Sequence, residues 1–309
     1  MKIGLIAHPE ELTMHEIGAM REAGADILGL HPVGGSEATA SLERLLSWMA
    51  TDDACALLAY ARKIGLKIEY EMHAAGYLAP RELFASHPEY FREADGVRTP
   101  DYNFCVSSDA MLARVTENAA RLAGELMPDT HDFYFWLDDV ADCRCTCDKC
   151  RGLSTSDQSL IVANAIAEKL READPAARVC YLAYQGTLAP PTAVRPAPGV
   201  FLEYAPIKRD RAIPVWQDES VRRELGALFT VFSPRETKIL EYWYDNSLFS
   251  NWKKPAQKFT PDNARIAEEI AFYRSLGVDN ISSFACYLGA DYEERYGAPD
   301  FSALKGAAK

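Results

Sequence analysis

Short apolar runs alternate with helical patterns along the whole chain, and each run has the length of one buried strand. Eight runs qualify: KIGLIAH (2–8), DILGLHP (26–32), KIEYEMH (67–73), DFYFWLDD (132–139), RVCYLAYQ (178–185), VFLEYAP (200–206), TKILEYWYD (237–245) and NISSFACY (280–287). Gly24 and Gly277 stand where a helical pattern stops just before a strand, which is typical of a helix C′ glycine.

Eight strand–helix alternations predict a parallel sheet. Their count, in a chain of 309 residues, matches the α/β fold of a TIM (β/α)8 barrel. A doubly wound open sheet is the alternative, but it usually carries a glycine-rich turn after its first strand, and AHPEE contains no glycine. No Pro/Gly/Ser-rich linker divides the chain, so we expect one barrel domain over 1–309.

Several predicted strands turn polar towards their C-terminal ends, although strands buried on both faces should be almost wholly apolar. In KIEYEMH, alternation puts Glu69, Glu71 and His73 on one face, which we predict to point into the barrel mouth. The other polar residues at or near strand ends are His8, His31, Asp138, Asp139, Gln185, Glu203, Glu241 and Asp245.

These residue types favour a sugar site at the C-terminal rim, where barrel enzymes place their chemistry. Two carboxylates can cleave a glycosidic bond, since one protonates the leaving oxygen and the other attacks or activates water. Aromatic residues that could stack on sugar rings lie near the same strand ends: Trp136, Tyr184, Tyr204, Tyr242, Trp243 and Tyr244. The alternative is structural, with the acids in ion pairs and the aromatics in the core.

Charge and composition exclude several classes of partner. The net charge is −12 and the sequence pI is near 5.1, so the surface repels nucleic acid and anionic lipid. No apolar stretch reaches the length of a membrane span, and the N-terminal apolar run is too short for a signal peptide, so we expect a cytoplasmic protein. A homo-oligomer stays open.

Five of the eight cysteines lie between Cys105 and Cys150, and in a reducing compartment such clustering favours a metal over disulfides. Cys145, Cys147 and Cys150 form C-x-C-x-x-C, and Zn²⁺ takes four tetrahedral thiolates. We propose Cys105 as the fourth ligand and leave Cys143 as a spare. With four thiolates the zinc would be structural; a disulfide set and a redox C-x-x-C are the alternatives.

These motifs resemble family 42 β-galactosidases, TIM barrels that carry a C-x-S segment after strand three, and an Asn-Glu pair and a C-x-C-x-x-C zinc loop after strand four. Here the matching segments are Cys105-Val-Ser, Leu-Asp-Asp and the cysteine loop, in the same order. HPEYFREADGVR (87–98) also resembles the family 42 segment before that first cysteine. His87-Pro88-Glu89-Tyr90-Phe91, Asp138-Asp139, the cysteine loop and SLGVDN (275–280) resemble a related domain family of unknown function, found in bacterial glycosidase-like proteins.

The resemblance implies a glycoside hydrolase, and it implies roles by position. Asp139 matches the general acid and Asp138 matches the asparagine that contacts the sugar. The acid is Asp where family 42 has Glu, which disfavours ordinary β-galactosidase activity. The second carboxylate is Asp245 or Glu241, because both share strand parity and spacing cannot choose between them.

The remaining substrate-binding candidates are His8, His73, Glu71, Tyr184, Glu203 and Trp243, with Arg209 or Arg211 for an acidic sugar. Two other functions stay open. One is a metal-dependent hydrolase or isomerase that uses His8, His31 and His73 with the acids around a divalent ion. The other is a non-catalytic carbohydrate-binding barrel.

Overall fold

A computed structural model describes residues 1–306, in which eight parallel strands close into a barrel in the order β1-β10-β9-β8-β7-β6-β3-β2. A short antiparallel hairpin, β4–β5, lies outside the barrel. The strands are β1 Lys2–Ala7, β2 Ile27–Leu30, β3 Lys67–His73, β4 Glu93–Ala94, β5 Val97–Arg98, β6 Asp132–Trp136, β7 Arg178–Ala183, β8 Val200–Tyr204, β9 Lys238–Glu241 and β10 Asn280–Phe284.

The α-helices surround this barrel, and the long ones follow the strands as in a (β/α)8 fold. They are α1 Met14–Glu22, α2 Ala38–Met49, α3 Asp52–Lys63, α4 Ala75–Leu78, α5 Asp109–Leu126, α6 Thr155–Arg171, α7 Glu219–Leu228, α8 Asn246–Phe249, α9 Asn263–Ser275 and α10 Ala290–Tyr296. Within residues 1–306, no helix is long and apolar enough to cross a membrane.

The core has two layers, because strand residues alternate between the barrel interior and the helix layer. The inner layer contains Ile6, Tyr134, Phe201, Leu240 and Phe284, among others. The outer layer is larger and packs strand residues such as Ile68 and Ile239 against the helices. This two-sided burial explains why each strand appears in the sequence as a short, nearly continuous apolar run.

The barrel fold and its eight strands are confirmed, and the differences lie at strand ends. The predicted strand 237–245 stops at Glu241, because the next residues turn into helix α8, for which Asp245 is the N-cap. Gly24 and Gly277 have φ of 105° and 88°, the left-handed conformation that a helix C′ glycine supplies.

The long connection after β3 brings its hairpin against the cysteine loop. The Glu93 carbonyl accepts hydrogen bonds from the backbone N and hydroxyl of Thr146, each 2.8 Å long. Helix α6 begins directly after this loop with a capping box between Ser154 and Asp157. The cysteine loop is therefore held between the hairpin and a well-capped helix.

Candidate functional site

A cavity of about 600 Å³ opens at the C-terminal ends of the barrel strands. Its volume lies within the range of roughly 300–1,000 Å³ that is typical of ligand sites. The side chains around it that are acidic or aromatic, histidine included, are His8, His31, Glu37, His73, Trp136, Asp139, Tyr184, Tyr242, Asp245, Trp252, Phe284 and Tyr287. We call this space the mouth cavity.

Three histidines follow one another around the mouth cavity and share one hydrogen-bonding pattern. Each Nδ1 bonds a backbone carbonyl on the neighbouring strand: His8 to His31, His31 to Glu71, and His73 to Leu137, at 2.6–2.7 Å. A carbonyl only accepts, so each Nδ1 is the N–H donor. In the neutral ring this makes Nε2 an acceptor, and burial lowers the pKa of His31 well below its usual value, which keeps that ring neutral.

Asp139 lines the mouth cavity at the end of β6, as expected for a strand-end acid. Gln185 donates from Nε2 to Asp139 Oδ1 at 3.2 Å, and the Tyr184 hydroxyl also interacts with this carboxyl. Burial first, and then the Asp139 charge, raises the pKa of Tyr184, so that its hydroxyl stays protonated at neutral pH. Asp139 is therefore reachable from the cavity and oriented by two neutral groups.

Asp245 lines the same cavity and is only 6% exposed. Its Oδ1 accepts from the backbone N of Ser247 (3.1 Å) and Leu248 (3.3 Å) and from the Ser247 hydroxyl (2.5 Å). Burial raises the pKa of Asp245, against the lowering effect of these hydrogen bonds and of His8. One oxygen is thus fixed by the helix start, and Oδ2 has no such anchor.

Asp138 lies beside the mouth cavity rather than in its lining. Its Oδ2 forms an ion pair with Arg81 Nη2 at 2.6 Å, and its backbone N donates to Asn103 Oδ1 at 3.0 Å. Asn103 also donates to the thiol of Cys143 at 2.8 Å, and burial raises the pKa of that thiol to about 11. Cys143, which the sequence left unexplained, thereby helps Asn103 to hold the end of β6.

Cys105, Cys145, Cys147 and Cys150 form one buried cluster whose sulfur atoms all lie within 4.8 Å of one another. Cys105 Sγ lies 3.8 Å from the sulfurs of both Cys147 and Cys150, and none of the four is in a disulfide. A tetrahedron of thiolates at the usual Zn–S bond length of about 2.3 Å has edges of about 3.8 Å. The cluster can hold a metal ion, and it fits the geometry of zinc.

Backbone and side-chain donors surround the cysteine cluster. The backbone N of Glu93 lies 3.3 Å from Cys145 Sγ, and Arg98 Nη1 lies 3.7 Å from the same sulfur. The hydroxyl of Ser107 lies 2.8 Å from Cys150 Sγ, so the serine of the C-x-S segment also contacts a sulfur atom. Such contacts stabilise negative thiolates and orient them towards an ion.

Three predicted rim acids do not reach the mouth cavity but lie in the barrel interior. Glu69, Glu71 and Glu203 are fully buried, and the ammonium of Lys238 lies 3.2, 2.7 and 3.6 Å from one oxygen of each. Lys238 Nζ also lies 4.0 Å from the centre of the Tyr134 ring. Alternation correctly put Glu69 and Glu71 on the inward face, but the placement of Glu71 and Glu203 at the mouth was wrong, because Lys238 holds them deeper.

Glu241, Arg209 and Trp243 lie on the outer side of the barrel wall. The Arg209 Nε atom is 3.2 Å from Glu241, and Tyr273 donates its hydroxyl to Glu241 at 2.6 Å. Arg209 and the Trp243 indole both donate to Glu269 at 2.6 Å. These residues bond to one another and to Glu269 in the helix layer. They were expected at the mouth, but they do not line the mouth cavity.

Glu241 and Asp245 were predicted to point to the same face of one strand, but in the structure they do not. Leu240 points inward and lines the mouth cavity, so Glu241, its neighbour in β9, points outward. After Glu241 the strand geometry ends, and the turn brings Asp245 back to the cavity. Of the two candidates, only Asp245 is at the cavity with Asp139.

The histidines do not form a preassembled metal site. Among residues 1–306, the cysteine cluster is the only group of three or more His, Cys, Asp or Glu whose ligand atoms converge closely enough for one ion. His8 and His31 have ring centroids 5.7 Å apart, and those of His31 and His73 are 6.5 Å apart. The geometry therefore gives no support to a divalent ion at the mouth.

Sequence reasoning missed Lys238, Arg81, Trp252 and Tyr287. The sequence did hold a clue to the role of Lys238. Three inward-facing glutamates in a closed barrel interior require a cation, and a lysine inside a strand can supply it. Trp252 and Tyr287 lie outside the regular strands, at backbone φ of 54° and 63°. Their approach to the cavity depends on loop conformations that strand periodicity does not describe.

A family model described as "Domain of unknown function (DUF4838)" matches residues 44–295, which is most of the chain. The chain therefore belongs to this family. No protein with a curated description matches the sequence.

Solved structures with a similar fold are glycan-cleaving enzymes at low sequence identity. A GH18 chitinase from Pseudoalteromonas aurantia is 11% identical with a TM-score of 0.52, over 100% of this chain and 99% of that one. A GH5 endo-β-1,4-glucanase from Bacillus licheniformis is 8% identical with a TM-score of 0.57, over 99% and 59%. Endo-glycoceramidase II from Rhodococcus sp. is 9% identical with a TM-score of 0.55, over 92% and 73%. At these identities the likeness shows the fold alone.

Proposed function

We propose that this member of the DUF4838 family is a glycoside hydrolase that uses Asp139 and Asp245 as its carboxylate pair. The observation that carries the proposal is that both acids line one cavity at the C-terminal rim, together with aromatic side chains. Glycosidic bond cleavage needs two carboxyl groups facing one substrate, and aromatic faces bind the apolar faces of sugar rings. Of the other acids predicted near the strand ends, Glu71 and Glu203 lie beside Lys238, Asp138 pairs with Arg81, and Glu241 pairs with Arg209.

Asp139 acts as the proton donor, which is the role that its position at the end of the fourth barrel strand suggests. The proton goes to the glycosidic oxygen as the bond to the anomeric carbon breaks. Gln185 and Tyr184 orient the carboxyl from one side. Asp245 acts as nucleophile or base through Oδ2, since Oδ1 is fixed by Ser247 and Leu248. The spacing of the reacting oxygens sets retention or inversion of configuration.

The four cysteines hold a structural zinc ion, which would supply folding energy rather than chemistry because no coordination position stays open. The loop that carries Cys105 also carries Asn103, and Asn103 holds the backbone of Asp138 at 3.0 Å. Asp138 directly precedes the proposed donor. The metal loop therefore supports the strand end that must keep Asp139 in place.

A panel of aryl glycosides that covers both anomers tests the proposal on wild type, Asp139→Asn and Asp245→Asn. We expect turnover of at least one glycoside, and a loss of about 10²–10⁴-fold in kcat for either variant, the usual cost of removing general acid–base catalysis. Asp142→Asn is the matched control, because this aspartate is exposed and is not part of the cavity lining. If Asp139→Asn keeps wild-type activity, the donor assignment is wrong. Glycan binding without turnover in wild type would favour a non-catalytic carbohydrate-binding barrel.

A further inference from the structure

We infer that the mouth cavity selects an uncharged glycan of more than one sugar ring, rejects carboxylated sugars, and uses Trp252 as its outer stacking platform. This inference names the substrate class for the proposed glycoside hydrolase site and rests on that function. It follows from the chemistry of the cavity wall and from the conformation of one loop.

The cavity wall presents acceptors and negative charge. The carboxyl groups of Glu37, Asp139 and Asp245 line it, and no lysine or arginine is among its lining residues within the part of the chain that the structure describes. Asp245 must be ionised for its proposed role, so a sugar carboxylate beside it would meet a like charge with no lysine or arginine in the described lining to pair with, and such juxtaposition is unfavourable. Neutral sugars carry no such penalty.

The histidine row strengthens this preference. His8, His31 and His73 use Nδ1 to bond backbone carbonyls, and within residues 1–306 no hydrogen bond occupies their Nε2 atoms. Burial keeps the His31 ring neutral, so its free Nε2 accepts a hydrogen bond, and sugar hydroxyls are donors that match it. A carboxylate offers no proton to that acceptor. The row therefore favours ligands that are rich in hydroxyl groups.

Several cations lie beside the cavity lining, and each contacts other groups of the protein. Arg44 lies 3.9 Å from Glu37, and the Lys254 ammonium lies 4.9 Å from the centre of the Tyr287 ring. Arg81 is paired with Asp138, and Lys254 lies 3.2 Å from Glu11 and 3.5 Å from Asp291. The Arg211 guanidinium stacks on the Tyr242 ring at 5.5 Å and donates to the carbonyl of Ile207. Arg81 Nη1 and Arg211 Nε are buried without a hydrogen-bond partner, but none of these cations belongs to the cavity lining within the described residues.

Trp252 extends the site outward. It lines the cavity yet is 63% exposed, whereas Trp136, another indole of the lining, is 3% exposed. The backbone of Trp252 has φ of 54°, which is unusual for a bulky residue, and its N–H is fixed to the Ser247 carbonyl at 2.7 Å. A large exposed aromatic held in this conformation is a preformed stacking surface, so a second sugar ring can stack there while the first meets the carboxylate pair.

Calorimetric titration with matched aryl glycosides tests the charge preference: glucoside against glucuronide and galactoside against galacturonide, in both anomers. Each pair differs only at C6, and turnover is recorded in the same samples. We expect the neutral member to bind at least about tenfold more tightly wherever binding occurs, as like-charge contact predicts. Equal or tighter binding of the acids, or no binding of any glycoside, would overturn the inference. Selective binding of neutral glycosides without turnover would instead contradict only the proposed hydrolase activity.

Trp252→Ala tests the platform, with Tyr296→Ala as control because Tyr296 is also exposed, at 40%, and is not in the cavity lining. Neutral tetrasaccharides and monosaccharide aryl glycosides of the sugar selected above serve as probes. We expect Trp252→Ala to weaken tetrasaccharide binding about tenfold, the usual value of an aromatic contact, and to leave the monosaccharide nearly unchanged. Trp252→Phe should restore most of the loss. If Trp252→Ala behaves like Tyr296→Ala, or weakens both ligands equally, Trp252 is not the outer platform.

Discussion

Two groups of acids occupy the same barrel, and they differ in whether a cation sits among them. The interior group, Glu69, Glu71 and Glu203, surrounds Lys238 and is fully buried. The mouth pair, Asp139 and Asp245, faces a cavity with no lysine or arginine in its described lining. Both groups carry carboxyl side chains near strand ends, so the polar pattern of the strands did not separate them. A buried carboxylate with a cation stabilises the fold, whereas one left facing a cavity is available to a ligand.

Removing the interior cation is expected to have the largest effect. Lys238→Met would leave three carboxylates in a sealed space, and breaking a buried ion pair in this way costs about 3–5 kcal/mol of unfolding free energy. Burial already raises the pKa of Glu71 and Glu203. Because the folded-state pKa values of these glutamates are raised, their protonation stabilises the folded protein at low pH, and this stabilisation is lost as the pH rises. The loss of unfolding free energy in Lys238→Met, relative to wild type, should therefore be smaller at pH 5 than at pH 8.

Denaturant unfolding at both pH values measures this effect, with Lys67→Met as control because Lys67 is exposed at the start of β3. If Lys238→Met is as stable as wild type at pH 8, the three interior glutamates do not depend on the charge of Lys238. The contrast with the mouth pair would then have to be abandoned.

Loss of the metal should loosen the cysteine loop and the end of β6 at the mouth cavity, and it should leave the group around Lys238 in the barrel interior unchanged. Cys150→Ser removes one of four converging sulfurs, so bound zinc should fall from about one ion per chain to almost none. Amide hydrogen exchange should accelerate in residues 137–150 while β3 stays protected, because the cysteine loop bonds to Glu93, Asn103 and Gln158 rather than to β3. Cys55→Ser is the control, since that thiol is exposed and outside the cluster. Equal zinc content in both variants would contradict the four-cysteine site.

Glu241→Gln separates the two candidates for the second carboxylate. Gln keeps the size of Glu241 but replaces one acceptor oxygen with an NH2 donor and removes the charge that faces Arg209, so we expect a loss of about 1–3 kcal/mol in unfolding free energy. Turnover of whichever glycoside wild type cleaves should persist, in contrast with Asp245→Asn. Glu236→Gln, at an exposed position, controls for the substitution itself. Loss of turnover at full stability in Glu241→Gln would reinstate Glu241 as the reacting group.

The smallest effect is expected from Asp245→Asn on stability. Because burial raises the folded-state pKa of Asp245 above its ordinary value of 3.8, its contribution favours folding at low pH and is lost as the pH rises through that pKa. Asn still accepts from Ser247 and Leu248, so at pH 7 the variant should lie within about 1 kcal/mol of wild type and not below it. Carboxyl ¹³C NMR titration should show one aspartate above the usual range that disappears in the variant. A wild-type spectrum in which every aspartate titrates normally would contradict the burial argument.

The chain order alone was enough to predict the eight strands, the barrel and the convergence of Cys105 with the cysteine loop. Those features follow from local rules, namely the alternation of apolar runs with helices and the short spacing of thiols. The same rules placed His8, His73, Asp139 and Tyr184 around the mouth cavity, whereas Asp245 reaches it through the turn after β9. Whether they bind substrate stays a prediction.

The ion-pair partners of Glu71 and Glu241 were determined by the tertiary structure, because those partners are distant in sequence. Glu71 meets Lys238 across the barrel, 167 positions away, and Glu241 meets Arg209 and Tyr273, each 32 positions away. No periodicity along one strand predicts such contacts, because they depend on register and on the depth at which each side chain lies. Local sequence therefore determines which residues point inward, while the packing of the closed barrel determines which of them stay charged, paired or open to a ligand.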